Sequence, residues 1–194
     1  MGRDKALLPW PPQSTITAPA DTFLSATIKL FISHVDVVLV VVGKNEQALT
    51  PVVYANGASL VVNPDPGRGQ FSSLRSGLRE VLNRGSDKAM VTLVDRPPVR
   101  VDTIERLEEA FEQAIIKRKW AVIPEFQGKH GHPFLIGREM LEAFLRAPET
   151  SNARDVERQH HVEIEYVSVD DPLVSFNIDT PEQYAALTPA SLPS

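Results

Sequence analysis

Six apolar residues in a row, Val37 to Val42, stand between Asp36 and Gly43. A strand with one solvent-exposed face alternates apolar and polar residues, whereas a strand covered on both faces is apolar throughout. Strands of the second kind belong to parallel sheets that carry helices on both sides. The run therefore predicts a central, or nearly central, strand of a parallel sheet.

The rest of the chain alternates between helical spacing of apolar residues and short apolar runs. Helices are predicted over residues 22–33 with Asp21 as cap, 46–54, 72–84, 102–115 with Asp102 as cap, 138–145, 153–160 and 181–187 with Thr180 as cap. Further strands are predicted over residues 59–62, 90–94, 120–124, 134–136 and 162–166, the last at an edge. This order predicts an α/β fold with a single doubly wound, Rossmann-like, mostly parallel sheet and helices on both faces. We expect one domain over residues 1–188 and a tail over 189–194.

Composition excludes several classes of function. The chain has 194 residues, no cysteine and a formal net charge of −5. A chain without cysteine has no disulfide framework and no thiolate metal site. The negative charge, with both signs interspersed, argues against a nucleic-acid partner, because a phosphate backbone requires a concentrated basic face. No apolar run approaches the roughly 20 residues of a membrane span, so we expect no membrane partner. A chain without cysteine is compatible with a reducing compartment, so we expect a cytoplasmic protein.

Residues that suit a phosphate site stand at the amino end, and two carboxylates stand far downstream. Gly2, Arg3 and Lys5 suit a loop whose backbone N–H groups and ammonium hold a polyphosphate. Asp95 and Asp179 each follow a short apolar run, which places them at strand ends. An anion cradle together with two carboxylates indicates a nucleotide and Mg²⁺.

Each of these residues has a structural alternative. Lys5 could be a solvated lysine at a frayed terminus, Asp95 a cap for the turn at Pro97, and Asp179 part of the helix start at Thr180. Spacing within the sequence does not decide between these interpretations.

Three polar residues near the 63–70 loop are further candidates for nucleotide contacts. Asn63 could hold the ribose or base, while Ser72 and Ser73 could offer hydroxyls, although helix capping explains the serines almost as well. His132 lies in a Gly-His-Pro turn and forms a His-x-His pair with His130. A zinc site is not favoured, because no further ligands stand at suitable spacing.

Several stretches of the sequence together resemble one family. They are residues 1–9 (MGRDKALLP), the loop and helix at 63–77, 94–97 (VDRP), 131–133 (GHP), 170–172 (DDP) and 177–182 (NIDTPE). These stretches are similar to the molybdenum cofactor cytidylyltransferase and guanylyltransferase family, also called MobA-like NTP transferases. Residues 69–73 (GQFSS) look more like the cytidylyltransferase branch.

The resemblance implies a fold of the nucleotide-diphospho-sugar transferase type and a Mg²⁺-dependent transfer of a nucleotide to a phosphorylated acceptor, with release of pyrophosphate. It implies CTP as the donor and a molybdopterin-type cofactor as the acceptor; a sugar phosphate is the alternative acceptor. Lys5 and Asp95 would be catalytic, Asp95 and Asp179 would hold the metal, and His132 would face the acceptor. Nucleotide contacts would come from Gly2, Arg3, Lys5, Asn63, Ser72 and Ser73.

One departure from the family stands at the amino end. Family members carry an apolar strand and a glycine-rich turn ahead of the Met-Gly-x-x-Lys segment, and the present sequence begins at Met1. In a doubly wound sheet that strand is internal, so its neighbours would be left with unpaired backbone groups. We expect either a start codon assigned too far downstream, or a non-catalytic relative that binds nucleotide weakly or assists a molybdoenzyme.

Overall fold

The computed structural model describes residues 4–12 and 22–187. Its strands are β1 (Leu39–Val42), β2 (Ser59–Val62), β3 (Ala89–Val91), β4 (Ala121–Phe126), β5 (Lys129–His130), β6 (Phe134–Ile136) and β7 (Ile164–Ser168). Its helices are α1 (Phe23–Ile32), α2 (Glu46–Ala55), α3 (Gln70–Asn83), α4 (Val101–Ile116), α5 (Arg138–Arg146), α6 (Ala153–Gln159) and α7 (Pro181–Ala185). The predicted Asp21 cap and the predicted 189–194 tail lie outside the described residues.

The α/β fold class is confirmed. β1 pairs with β2 and β4 pairs with β7 in parallel registers, while β6 runs antiparallel between β3 and β4. Within residues 4–12 and 22–187, β7 pairs only with β4, as expected for an edge strand. Residues of α3 pack against α5 on one side of the sheets, and His34, just after α1, pairs with Glu108 of α4.

The strands depart from the expected single sheet at one place. Over the described ranges, β1 and β2 form a two-stranded sheet and the other strands form a five-stranded sheet. The predicted central position of β1 is therefore wrong for these residues. Leu39, Val40 and Val41 are only partly buried, whereas Ala121, Val122 and Ile123 in β4 are buried. The physical reason is that, among the described residues, β1 has a strand partner on one edge only and β3 likewise.

Local spacing predicts the N-cap of α7 correctly and that of α4 incorrectly. Thr180 caps α7 in a capping box with Gln183, as predicted. Asp102, by contrast, does not cap α4: the helix begins at Val101 with Arg100 as N-cap and without a side-chain cap. The Asp171 carboxylate instead accepts hydrogen bonds from the Arg100 N–H at 3.0 Å and the Thr103 hydroxyl at 2.9 Å.

Two glycines allow close approaches that bring the loops together. A Cβ at Gly43 would lie 2.7 Å from the Pro66 Cβ, so the loop after β2 crosses directly over the end of β1. A Cβ at Gly131 would lie 2.1 Å from the Val174 carbonyl oxygen. The turn that carries His132 is therefore pressed against the 172–175 segment, and any side chain at residue 131 would force the two apart.

No helix within the described part of the chain is both long enough and apolar enough to cross a membrane.

Candidate functional site

The segment that carries Lys5 is fixed by side chains from distant parts of the chain. The Asp4 carboxylate accepts hydrogen bonds from the Ala6 N–H at 3.0 Å and from the Asn45 amide at 2.6 Å. The Phe23 N–H donates to the Leu8 carbonyl at 2.8 Å. Lys5 is therefore held in a short 3-10 turn, Lys5–Leu7, which does not support the alternative of a frayed terminus.

Lys5 pairs with one predicted metal ligand, Asp179, and the backbone of the other, Asp95, contacts the residue before Asp179. The Lys5 ammonium lies 3.1 Å from the Asp179 carboxylate, and 30% and 56% of these side chains are exposed. The Asp95 carbonyl accepts a hydrogen bond from the Ile178 N–H at 3.0 Å, next to Asp179. The structure therefore brings the 95 and 179 segments together. The predicted strand ends are wrong, because β3 ends at Val91 and a 3-10 turn, Pro172–Ser175, stands before Asp179 in place of a strand.

Asp95 and Arg96 carry polar atoms that have no partner. Among the described residues, Asp95 Oδ1 and Arg96 Nε are buried without a hydrogen bond. Burial lowers the pKa of the Arg96 guanidinium, while the charges of Asp95 and Asp179 act in the opposite direction. Arg96 therefore lies within electrostatic reach of both carboxylates. An orphaned carboxylate oxygen is an available ligand, and its lack of a partner does not support the alternative of a turn cap for Asp95.

Asn63, Ser72 and Ser73 form one cluster after β2. The buried Asn63 amide donates to the Ser72 hydroxyl at 2.8 Å and to the Ser73 hydroxyl at 3.0 Å. Its carbonyl oxygen accepts from the Asp65 N–H at 3.0 Å. Because α3 begins at Gln70, neither serine is its N-cap. The Asn63 side chain positions the loop, and Ser73 lines the same cleft as Lys5, Asp95 and Arg96.

His132 lies in the cleft with a neutral ring. Burial, followed by the positive charge of Arg96, lowers the pKa of His132 from 6.5 to about 4, against a hydrogen bond to the Val91 backbone. Its Nδ1 atom is buried and has no partner among the described residues. His130 lies apart from it, stacked on Tyr166 and 3.4 Å from Glu125.

Within 4–12 and 22–187 no group of three His, Cys, Asp or Glu side chains could hold a metal ion.

The low pKa of His132 predicts acid sensitivity. Between pH 6.5 and about 4 the unfolded chain binds a proton at this histidine and the folded chain does not, so the free energy of unfolding falls as the pH falls. A full shift of this size corresponds to a loss of about 3 kcal/mol. Urea unfolding at pH 7 and pH 4.5 should show a smaller loss for His132→Asn than for the parent chain. The exposed control His161→Asn should keep the parent's pH dependence, and equal pH dependence in all three would contradict this account.

Two contributors were not found from the sequence. They are Arg96 and the hydrogen bond between Asp4 and Asn45, which joins residues 41 positions apart. Arg68, which stands between two glycines and could clamp a phosphate, instead forms an ion pair with Glu149, which raises the pKa of Arg68. The lack of a partner for Arg96 Nε follows from its burial in the folded chain. The predicted nucleotide contacts Gly2 and Arg3 lie outside the described residues.

Comparison with known proteins identifies the family. Residues 1–164 match the MobA-like NTP transferase domain, which is most of the chain. The chain belongs to the MobA-like NTP transferase family. It is therefore a nucleotidyltransferase by family, and the resemblance noted in its motifs is confirmed.

Similar proteins agree with this family and fold. The molybdenum cofactor cytidylyltransferase of Escherichia coli K12 is 24% identical over 189 residues, which cover 95% of this chain and 86% of that protein. The crystal structure of Rv0371c from Mycobacterium tuberculosis matches with a TM-score of 0.74 at 24% identity, over 96% of this chain and 89% of that chain. A manganese complex of Rv0371c matches with a TM-score of 0.71 at 22% identity, over 94% and 90% of the two chains. These structures support the nucleotidyltransferase fold for this MobA-like chain.

Proposed function

We propose that this MobA-like chain transfers CMP from CTP to a phosphorylated acceptor of the molybdopterin type and releases pyrophosphate. The observation that carries the proposal is the Lys5–Asp179 ion pair next to the backbone of Asp95, whose Oδ1 is buried without a partner among the described residues. The similarity to a molybdenum cofactor cytidylyltransferase favours the cytidine nucleotide and the acceptor.

The donor set suits a divalent ion. Asp95 and Asp179 would hold Mg²⁺, whose remaining positions suit phosphate oxygens and water. When bound, the ion would neutralise charge on the phosphates and orient them. The manganese complex of Rv0371c supports a divalent metal in the family.

The protein's own residues would position and stabilise the reactants. Lys5, now paired with Asp179, would turn to the triphosphate as a flexible point charge. Arg96 would add a second cation beside the carboxylates, and His132, uncharged at neutral pH, would face the acceptor without repelling Arg96. A phosphate oxygen of the acceptor would attack the α-phosphorus while pyrophosphate leaves, without a covalent enzyme intermediate.

Pyrophosphate release tests this function. The chain is incubated with CTP, GTP, ATP or UTP, each with Mg²⁺ and with a molybdopterin-type acceptor or a sugar phosphate. We expect release that requires CTP, the metal and the molybdopterin-type acceptor together. Release with a sugar phosphate alone would contradict the proposed acceptor. A preference for GTP would contradict CTP as the donor, and no release with any combination would contradict catalysis.

A second candidate function is the binding of a nucleotide without nucleotidyl transfer, as in a relative that has lost its catalytic activity. The observation that favours it is the open cleft between β1 and β3, which reaches Lys5. Calorimetric titration with CTP and Mg²⁺ separates the candidates. Binding accompanied by silence in the pyrophosphate assay would support the second function and contradict the first.

A further inference from the structure

One wall of the cleft is formed by a face of the five-stranded sheet near β5 and β7. Side chains alternate between the two faces of a strand, so Ile123 and Glu125 of β4 share one face. Tyr166 of β7 is the register partner of Ile123, and His130 of β5 is that of Glu125. The Tyr166 and His130 rings stack with their centroids 4.1 Å apart and their planes 16° apart. Ile123, Tyr166 and His130 line the cleft, which therefore contains a flat aromatic pair.

Helix α6 supplies charged groups to the same part of the cleft. Arg154 and Glu157 both line it, and a spacing of three residues places them on one face of the helix. Glu157 is half-buried, and burial raises the pKa of its carboxyl against the charge of Arg154. Over residues 4–12 and 22–187 this carboxylate forms neither a hydrogen bond nor an ion pair. Burying a carboxylate without donors costs free energy, so a ligand that supplies N–H donors would be stabilised at Glu157.

These groups form a row that leads to the proposed metal site. Burial, followed by the charge of Glu157, raises the pKa of Tyr166, so Glu157 lies near the aromatic pair. Burial lowers the pKa of Arg96, and the charge of Arg154 lowers it further, so the two guanidinium groups lie near each other. Arg96 is also within electrostatic reach of both predicted metal ligands. Two cations therefore stand at the metal end of the row, and a carboxylate and two aromatic rings stand at the other end.

We propose that this row binds the acceptor of the proposed transfer as a planar, nitrogen-rich ring that carries a phosphate. Glu157 accepts hydrogen bonds from adjacent N–H groups at the edge of the ring, and the pair of Tyr166 and His130 stacks on its face. Arg154 and Arg96 bind the phosphate and direct it to the metal. A sugar has neither an aromatic face nor adjacent N–H groups, so Glu157 and the aromatic pair select against a sugar phosphate. The inference rests on the proposed function for the direction of the phosphate.

Binding of free pterin, a planar ring of this class without a phosphate, tests the inference without any enzymatic activity. The fluorescence of pterin is followed as the chain is added. We expect Glu157→Gln to raise the dissociation constant at least about tenfold, because the amide presents a donor where the ring also presents one. The exposed control Glu109→Gln should keep the parent's constant. Equal constants for the parent and Glu157→Gln, or no binding by the parent, would overturn the inference.

The same probe tests the aromatic pair. Tyr166→Phe keeps the ring and should bind pterin within about twofold of the parent, whereas Tyr166→Leu should weaken binding at least about fivefold. Equal binding by the leucine and phenylalanine variants would show that the ring does not stack on the ligand, and would overturn this part of the inference.

Transfer kinetics separate a failure of this inference from a failure of the proposed function. With CTP and the molybdopterin-type acceptor, Glu157→Gln and Arg154→Gln should each raise the KM for the acceptor at least about tenfold and leave the KM for CTP within about twofold. The exposed control Arg106→Gln should change neither constant. An unchanged acceptor KM in both variants, while the parent transfers CMP, would overturn the inference alone. No transfer by the parent, together with pterin binding that depends on Glu157, would contradict the proposed function alone.

Discussion

Asp95→Asn is expected to lower the rate of nucleotidyl transfer at least about 100-fold at saturating CTP and Mg²⁺. The amide keeps the shape of the side chain, but it removes the charge from a group whose Oδ1 is buried and unpartnered. A neutral oxygen is a much weaker ligand for Mg²⁺ than a carboxylate oxygen. The rate is measured as pyrophosphate release with the molybdopterin-type acceptor.

Asp87→Asn is the matched control for this change, because Asp87 is exposed between α3 and β3. It should leave the transfer rate unchanged within about twofold, and both variants should unfold at the parent's urea midpoint. A transfer rate for Asp95→Asn equal to that of the parent would contradict the proposal that Asp95 binds the metal ion.

Asp171→Ala is expected to cost about 2–4 kcal/mol of the free energy of unfolding. The Asp171 side chain is 1% exposed and accepts hydrogen bonds from the Arg100 N–H, the Thr103 hydroxyl and the Leu173 N–H. Its loss would leave these three donors without the carboxylate that now joins the start of α4 to the 172–175 segment. Urea unfolding at pH 7 measures the change.

The neighbouring Asp170→Ala provides the control for Asp171→Ala. Asp170 is exposed, and its backbone carbonyl, which accepts a bond from the Arg100 guanidinium, is kept in the variant. We expect a change of at most about 0.5 kcal/mol for this variant. A similar small loss for Asp171→Ala would show that its three bonds contribute little to the stability of the fold.

Local sequence patterns predicted the bounds of those helices and strands that begin and end at turn or capping residues. β2 and β6 have the predicted bounds, and α7 begins at the predicted capping box of Thr180 and Gln183. Lys5 also lies next to Asp179, although neither residue stands at a strand end. The element bounds follow from apolar periodicity and from turn and capping residues.

Long-range contacts account for what the sequence did not reveal. Asp102 had the spacing of a cap, but Asp171, far along the chain, provides the hydrogen bonds at the start of α4. The apolar run at β1 predicted a covered strand, and its cover depends on a neighbour beside β1 that local spacing does not specify. The absence of a hydrogen-bond partner for Arg96 Nε among the described residues is likewise a consequence of its burial in the folded chain.

A crystal structure with Mn²⁺ and CTP tests the central claim most directly, because anomalous scattering locates manganese unambiguously. The account predicts one manganese peak within bonding distance of carboxylate oxygens from both Asp95 and Asp179, with the Lys5 ammonium moved from Asp179 to the triphosphate. A manganese ion held away from either carboxylate, or a triphosphate bound far from Lys5, would contradict it.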